Sequence, residues 1–203
     1  MSITTFSELK TAVLNWSERS DLSTVVDDFI TMAESRFNKE LRLREMEAQD
    51  DLTPSSGSVT LPADFLEVIR VKAKTTPARV LEYVTPGWAD DAYPTATVSG
   101  YGSFYTLIGS TLKTYPQVSS DIELTYYQKI TALSDSNTSN WLLAKAPDVY
   151  LFGTLVELAI YNNDERLAVW GQTLDRAIGA LKMADAYAKS GTPVRRSSVA
   201  TAP

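Results

Sequence analysis

The chain has 203 residues, 44% hydrophobic and 22% charged, enough for one packed domain or for a core domain carrying a smaller insertion. It contains neither cysteine nor histidine, which excludes disulfides, cysteine nucleophiles, Ser-His-Asp triads and the usual zinc sites; an enzyme would have to work with carboxylates, Lys, Tyr or Ser. A formal net charge of −6 argues against a general polyanion-binding surface, because duplex DNA binding normally needs a basic stripe.

No apolar run reaches the roughly eighteen residues that span a bilayer, and "MSITTFSELK" lacks a basic region followed by an apolar one. Neither a membrane partner nor a secretory leader is expected. "TFSELK" reads as a helix start: Thr5 at the N-cap and Glu8 three residues on make a capping box, with Phe6, Leu9, Val13 and Leu14 as the apolar face and an end near Glu18. After "RSD", Leu22, Val25, Val26, Phe29, Ala33, Phe37 and Leu41 recur in steps of three and four, the period of one helix face. Asp27, Asp28, Glu34, Lys39 and Arg42 make up its other face, which is expected to be solvated.

From "DDLTPSSGSVTLP" onward the period shortens towards two, and Pro and Gly break the helix. Strands are predicted in "SVTL" (58–61), "LEVIRVKAK" (66–74), "RVLEYV" (79–84), "FYTLIG" (104–109), "TLKTYP" (111–116) and "DIELTYYQKI" (121–130). Gly109 and Ser110 supply a two-residue hairpin turn, and "TPGWADDAYPTATVSGYGS" is a long connection with one helical turn. Helix returns at Pro147, a favourable first-turn residue, and runs to about Tyr161. "NND" breaks and recaps the chain, with Asp164 and Glu165 at a new N-terminus. The last helix carries Leu167, Trp170, Leu174, Ile178, Leu181 and Ala184 or Ala188 on one stripe and is expected to end near Gly191. The remaining "TPVRRSSVATAP" has no periodicity and reads as an extended tail.

The fold class is therefore α+β: a helical bundle from the N- and C-terminal helices with an inserted antiparallel β domain. The expected divisions are residues 1–50 for the first helices, 51–135 for the β domain, 136–190 for the last helices and 191–203 for the tail.

One helix is unusually apolar. Val149, Leu151, Phe152, Leu155, Val156, Leu158, Ala159 and Ile160 cover an arc of roughly 200°, about twice the stripe of an ordinary surface helix. Leaving three such side chains in water would cost roughly 5 to 9 kcal/mol, comparable with the stability of a whole domain. Either the rest of the chain or a neighbouring copy must supply the cover. In the second case Phe152 and Val156 belong to a subunit interface, and Glu157 beside them needs an Arg or Lys partner.

Other candidates for chemistry are weaker. The pairs Asp27-Asp28, Asp50-Asp51 and Asp90-Asp91 are adjacent residues, which face different ways on a helix, so they fit neither acid-base work nor magnesium binding well. "GYGS" at 100–103 leads into a strand rather than a helix, the wrong context for cradling phosphate. Tyr126, Tyr127, Phe104 and Tyr105 lack the basic interleaving of a platform for single-stranded nucleic acid, which favours cross-strand packing. The tail combines Arg195 and Arg196 with the apolar Val194 and Val199 and has no acidic residue after Asp185. It reads either as a disordered end or as an arm that orders on another protein.

Taken in order, "SITTFSELKTAVLNWSERSDL", "FITMAESRFNKELRLREME", "VTLPADFLEVIRV", "RVLEYVTP", "ELTYYQKITALSDSNTSNWLLAKAPDVYLFGTLVELA" and "NDERLAVWGQTLDRAIGAL" resemble the head-to-tail adaptor proteins of short-tailed bacteriophages. The resemblance covers about residues 2–190, and its most specific pieces are "LPADFLEV", "LTYYQKI" with "NWLL" following, and "PDVYLFGTLVE". Order and spacing carry it rather than any single motif, and residues 85–103 lie outside it. It implies a structural virion protein without catalysis or cofactor, made in the host cytoplasm and built into the neck as a twelve-fold ring between the portal protein and the tail nozzle. Genome DNA would pass through the ring without sequence-specific binding. The tail, through Val194, Arg195, Arg196 and Val199, would reach into the portal. The alternatives are another neck component such as a tail terminator, a small binding module or, from a different class, a carboxylate-based hydrolase.

Overall fold

In the computed structural model, which describes residues 3–94 and 99–189, the capping box of the first helix is complete. The Glu8 amide donates to the Thr5 hydroxyl at 3.3 Å and the Thr5 amide donates to the Glu8 carboxylate at 3.0 Å, opening α1 (Phe6–Ser17). Glu18 ends it in the left-handed region, at φ 56°. Helix α2 (Val26–Glu40) starts later than its apolar period predicts, because Leu22 lies in a separate 3-10 turn, Ser20–Leu22.

The chain continues through β1 (Glu47–Leu52), β2 (Ser58–Thr60), β3 (Phe65–Ala73), β4 (Arg79–Tyr83), α3 (Pro86–Ala92), β5 (Phe104–Ile108), β6 (Thr111–Tyr115) and β7 (Ile122–Gln128). It ends in α4 (Trp141–Lys145), α5 (Pro147–Asn162) and α6 (Leu167–Lys189). The protein is thus α+β, with six α-helices and a seven-stranded mixed sheet among the described residues. It divides into two compact units: Met1–Arg44 with Ile130–Pro203, and Glu45–Lys129.

In the helical unit α5 is the centre, and α1, α2, α4 and α6 all pack on it. Gly153 sets the closest approach, since a Cβ there would run into the Phe37 ring of α2. Phe37 in turn meets Tyr150 edge-on, with centroids 5.4 Å apart. Helix α4 was not apparent in the apolar spacing; Asn140 creates it by accepting from the Leu143 amide at 2.9 Å. The α6 stripe holds Trp170, Leu174, Ile178 and Leu181 as expected, but its last buried position is Asp185 rather than Ala184 or Ala188. Asp185 is buried because it accepts from the Arg44 amide at 3.0 Å and from Lys189 at 3.1 Å. Burial pushes its carboxyl upward, yet these two donors outweigh burial and hold it below the usual aspartate range.

In the β unit the strand order is β1-β7-β3-β4-β5-β6-β2. All neighbours are antiparallel except β4 and β5, so the sheet is mixed and not the antiparallel one expected, because the long connection that contains α3 lets the chain re-enter parallel to β4. Leu61, Val71, Leu81, Leu112, Ile122 and Leu124 fill its core. Strands β2 to β7 fall within two residues of their predicted ends, and Gly109, at φ 59°, makes the β5–β6 turn. Strand β1 is the one the alternation misses. "EAQDDL" alternates only weakly, with Asp50 between Ala48 and Leu52 on the face that packs against the core, but its six residues pair in full register with β7 at the sheet edge, where charged side chains stay in water. Helix α3 is longer than the single turn expected, because Thr85 caps Trp88 and Pro86 sits in the first turn.

Candidate assembly interface

The chain itself supplies most of the cover that α5 requires. Val149, Leu151, Leu155, Val156, Leu158 and Ala159 are all buried. Of the three interface candidates, Val156 is 4% exposed and so is enclosed by its own unit. Phe152 is half-buried, its ring edge-on to Trp16 of α1 at 5.5 Å, and Trp16 is itself 51% exposed. Glu157 has its cationic partner within the chain: the Arg36 guanidinium of α2 lies 2.6 Å from its carboxylate. Ile160 and Tyr161, at the end of the helix, remain exposed.

The α2 face predicted to be solvated is solvated only in part. Asp27, Asp28 and Lys39 are exposed or partly so, whereas Glu34 is 5% exposed and turned towards α5. Its carboxylate accepts from the Leu133 amide at 2.8 Å and from the Tyr150 hydroxyl at 3.0 Å. Asn140 donates to that same hydroxyl at 2.6 Å and to the Thr131 carbonyl at 2.7 Å. A buried carboxylate thus binds the segment after β7 to two helices. Burial pushes the Glu34 carboxyl above its ordinary range, against the downward pull of its two donors. Burial and the Glu34 charge likewise raise the Tyr150 phenol.

Arg166 forms a second polar fastening. It donates to the Trp16 and Ser17 carbonyls at 3.2 and 3.1 Å, satisfying the open end of α1, and is held by Asp164 at 2.8 Å. Its guanidinium lies 4.6 Å from the Trp170 ring centroid.

The adjacent carboxylates separate in space. Asp27 pairs with Lys10 at 3.4 Å, Asp51 with Lys74, and Asp90 and Asp91 are exposed or edge positions on α3. Asp50 and Asp64 share the Tyr126 hydroxyl at 3.1 and 3.2 Å; burial first, and then these carboxylates, raise that phenol. Among the described residues no group of three or more His, Cys, Asp or Glu could hold a metal ion. The aromatic residues of the sheet pack on one another and on α3: Phe65 on Tyr126 at 5.8 Å, Tyr83 on Tyr105 at 5.7 Å and Trp88 on Phe104 at 4.9 Å. "GYGS" turns the chain into β5. Val194, Arg195, Arg196 and Val199 lie outside the described residues.

Trp16 and Arg36 were not among the residues that apolar spacing singled out. Trp16 lies off the α1 stripe, which is itself a sign of an exposed aromatic. Arg36 could have been found as the basic residue on the α2 face that meets α5.

These surfaces, with polar fastenings inside and aromatic side chains outside, suit a structural part of a larger assembly. The family model described as SU10 adaptor protein matches residues 4–197, and the chain belongs to that family of phage head-to-tail adaptors. The family is a structural one and not an enzyme class; it implies a virion neck component associated with portal and tail components. No curated protein matches the chain.

Proposed function

We propose that this protein is the subunit of a twelve-fold adaptor ring that joins the portal to the tail nozzle and encloses the DNA exit channel. The observation that carries this reading is the family match, which spans nearly the whole chain. The helices then form a bundle carrying the inserted β domain, and residues 191–203 form an extended arm. Val194 and Val199 anchor that arm in the portal, and Arg195 and Arg196 supply its charge. The neighbouring subunit docks along α5, where half-buried Phe152 lies beside exposed Trp16, buried Val156 backs it one turn on, and Glu157 is held in place by Arg36. Exposed aromatic residues of this kind are typical anchors of protein interfaces. With a formal charge of −6 on each copy, acidic residues turned to the channel disfavour adhesion of the DNA backbone.

The test is light-scattering mass of the protein alone and with the portal protein of the same genome, repeated on a chain truncated after Ser190. A ring complex that forms with portal and weakens on truncation supports both the adaptor and the arm. Absence of association at micromolar concentration would remove the central prediction.

A further inference from the structure

Helix α6 is held to the helical unit in two different ways along its length. Its first part is anchored by apolar side chains, with Trp170, Leu174, Ile178 and Leu181 all buried. From Lys182 to Lys189 no apolar side chain is buried: Met183 and Tyr187 are 59% and 73% exposed, and Asp185 is the one buried position. These last two turns therefore gain little from removing apolar surface from water, which is the main term that holds a helix to its neighbours.

Polar ties act there, and they reach one short stretch of chain. Lys182 pairs with Glu40, the last residue of α2, at 3.1 Å. Asp185 divides its two oxygens: Oδ1 accepts from the Arg44 amide at 3.0 Å, and Oδ2 meets the Lys189 ammonium at 3.1 Å. The Lys145 charge at the end of α4 also favours the ionised carboxyl. Arg44 is the residue at which the chain leaves the helical unit for the β unit, and Lys189 is the last residue of α6. One carboxylate thus joins the end of the helix to a crossing 141 positions away.

Such a tie exchanges readily for water. A hydrogen bond inside a protein replaces one made to solvent, so its net gain is small, and a carboxylate drawn outward recovers its hydration. An apolar anchor has no such substitute. The end of α6 is accordingly the part of this helix that opens at least cost.

We infer that Lys182–Lys189 is a releasable strap with Asp185 as its latch: when residues 191–203 engage the portal the strap lifts, and Asp185 gives up the Arg44 amide at the crossing. That the portal draws the strap rests on the adaptor reading. The latch itself rests on the geometry of Asp185, Arg44 and Lys182. A strap that must open before a partner binds lowers the affinity by the fraction of chains in which it is closed, so weakening the latch strengthens binding. Loss of a merely structural contact would do the reverse or nothing.

The experiment measures binding of the full-length wild type, Asp185→Ala and Glu40→Gln to the portal protein of the same genome, with hydrogen exchange at single amides in the free protein and in the complex. The expected result is about fivefold tighter binding for Asp185→Ala and about twofold for Glu40→Gln, a surface change that carries the test should the first variant fold poorly. In the wild-type complex the Arg44 amide should exchange about tenfold faster than in the free protein. The Ile130 amide, held by Asn38 at 2.8 Å in the same unit, should be unchanged. Equal or weaker binding by the variants that fold overturns the latch, and an Arg44 amide that stays protected in the complex overturns the release; either result leaves the adaptor reading standing. Failure of the wild type to bind portal overturns the adaptor reading and this inference together.

Discussion

The two units keep their polar groups in different places. In the helical unit Glu34, Tyr150, Asn140 and Asp185 hold hydrogen bonds inside or at the margin of the core, and they fasten loop segments to helices. In the β unit the core cluster is made of aliphatic and tyrosine side chains, joined by the buried hydroxyl of Thr114, which donates to the Gly57 carbonyl and accepts from the Val118 amide; among the described residues no carboxylate is buried there. A core without a buried charge tolerates repacking as long as its volume is kept, whereas a buried carboxylate fixes one arrangement and is costly to disturb. The helical unit is thus specified in part by buried carboxylates and the β unit mainly by shape and strand register.

The largest expected effects test whether the two cores are equally well filled. Leu158→Ala in α5 and Leu124→Ala in β7 remove side chains of the same size from sites that are both 0% exposed. Each should cost about 3 kcal/mol in chemical denaturation, and a much smaller loss in one unit would mark that core as able to collapse around the gap.

Next comes the polar key of the helical unit. Glu34→Ala leaves the Leu133 amide and the Tyr150 hydroxyl without their acceptor and should cost about 2 kcal/mol, while Glu34→Gln, which retains an acceptor oxygen, should cost less. The folded-state pKa of Glu34 lies above the ordinary 4.5, so the folded protein holds this proton more tightly than the unfolded chain. That contribution is complete below the unfolded value and is lost as pH rises through the folded one. Urea melts from about pH 4 to about pH 7 should therefore show wild type losing ground to Glu34→Gln as the pH is raised. The opposite slope would mean that Glu34 is stabilised in its charged form.

In the β unit Tyr126→Phe removes one rim hydroxyl, shared between Asp50 and Asp64, and should cost no more than about 1 kcal/mol in the same assay. A loss as large as that of Glu34→Ala would erase the distinction between the units. The smallest effect on stability belongs to Trp16→Ser, about 1 kcal/mol or less because the ring is half exposed. If α5 and α1 carry the subunit interface, the same substitution should nevertheless reduce ring formation seen by light scattering. Rings that form normally would place the interface elsewhere.

Which features were legible in the sequence follows from the range of the interactions that set them. The capping box at Thr5 and Glu8, the Gly109 turn and the stripe from Trp170 to Leu181 each depend on residues a few positions apart, so spacing alone exposes them. The need of α5 for cover on more than one side was equally plain. What would cover it was not, because a periodic pattern states that a face is apolar and says nothing of its neighbour. Strand β1 escaped notice because its order comes from six pairings with β7, 70 to 80 positions away, and not from its own polar residues.

Composition excluded whole classes of chemistry without any structure, since a chain lacking histidine and cysteine cannot build sites that require them. Local periodicity determined the four long helices and most of the strands, but not α4 or the full length of α3. Only the tertiary structure showed that Glu34 is a buried key rather than a solvated charge, that Arg36 answers Glu157, and that Arg166 closes the open end of α1. Each of these depends on groups distant in sequence meeting at hydrogen-bond range, and the free energy of a charge or an amide is decided by whether such a partner arrives.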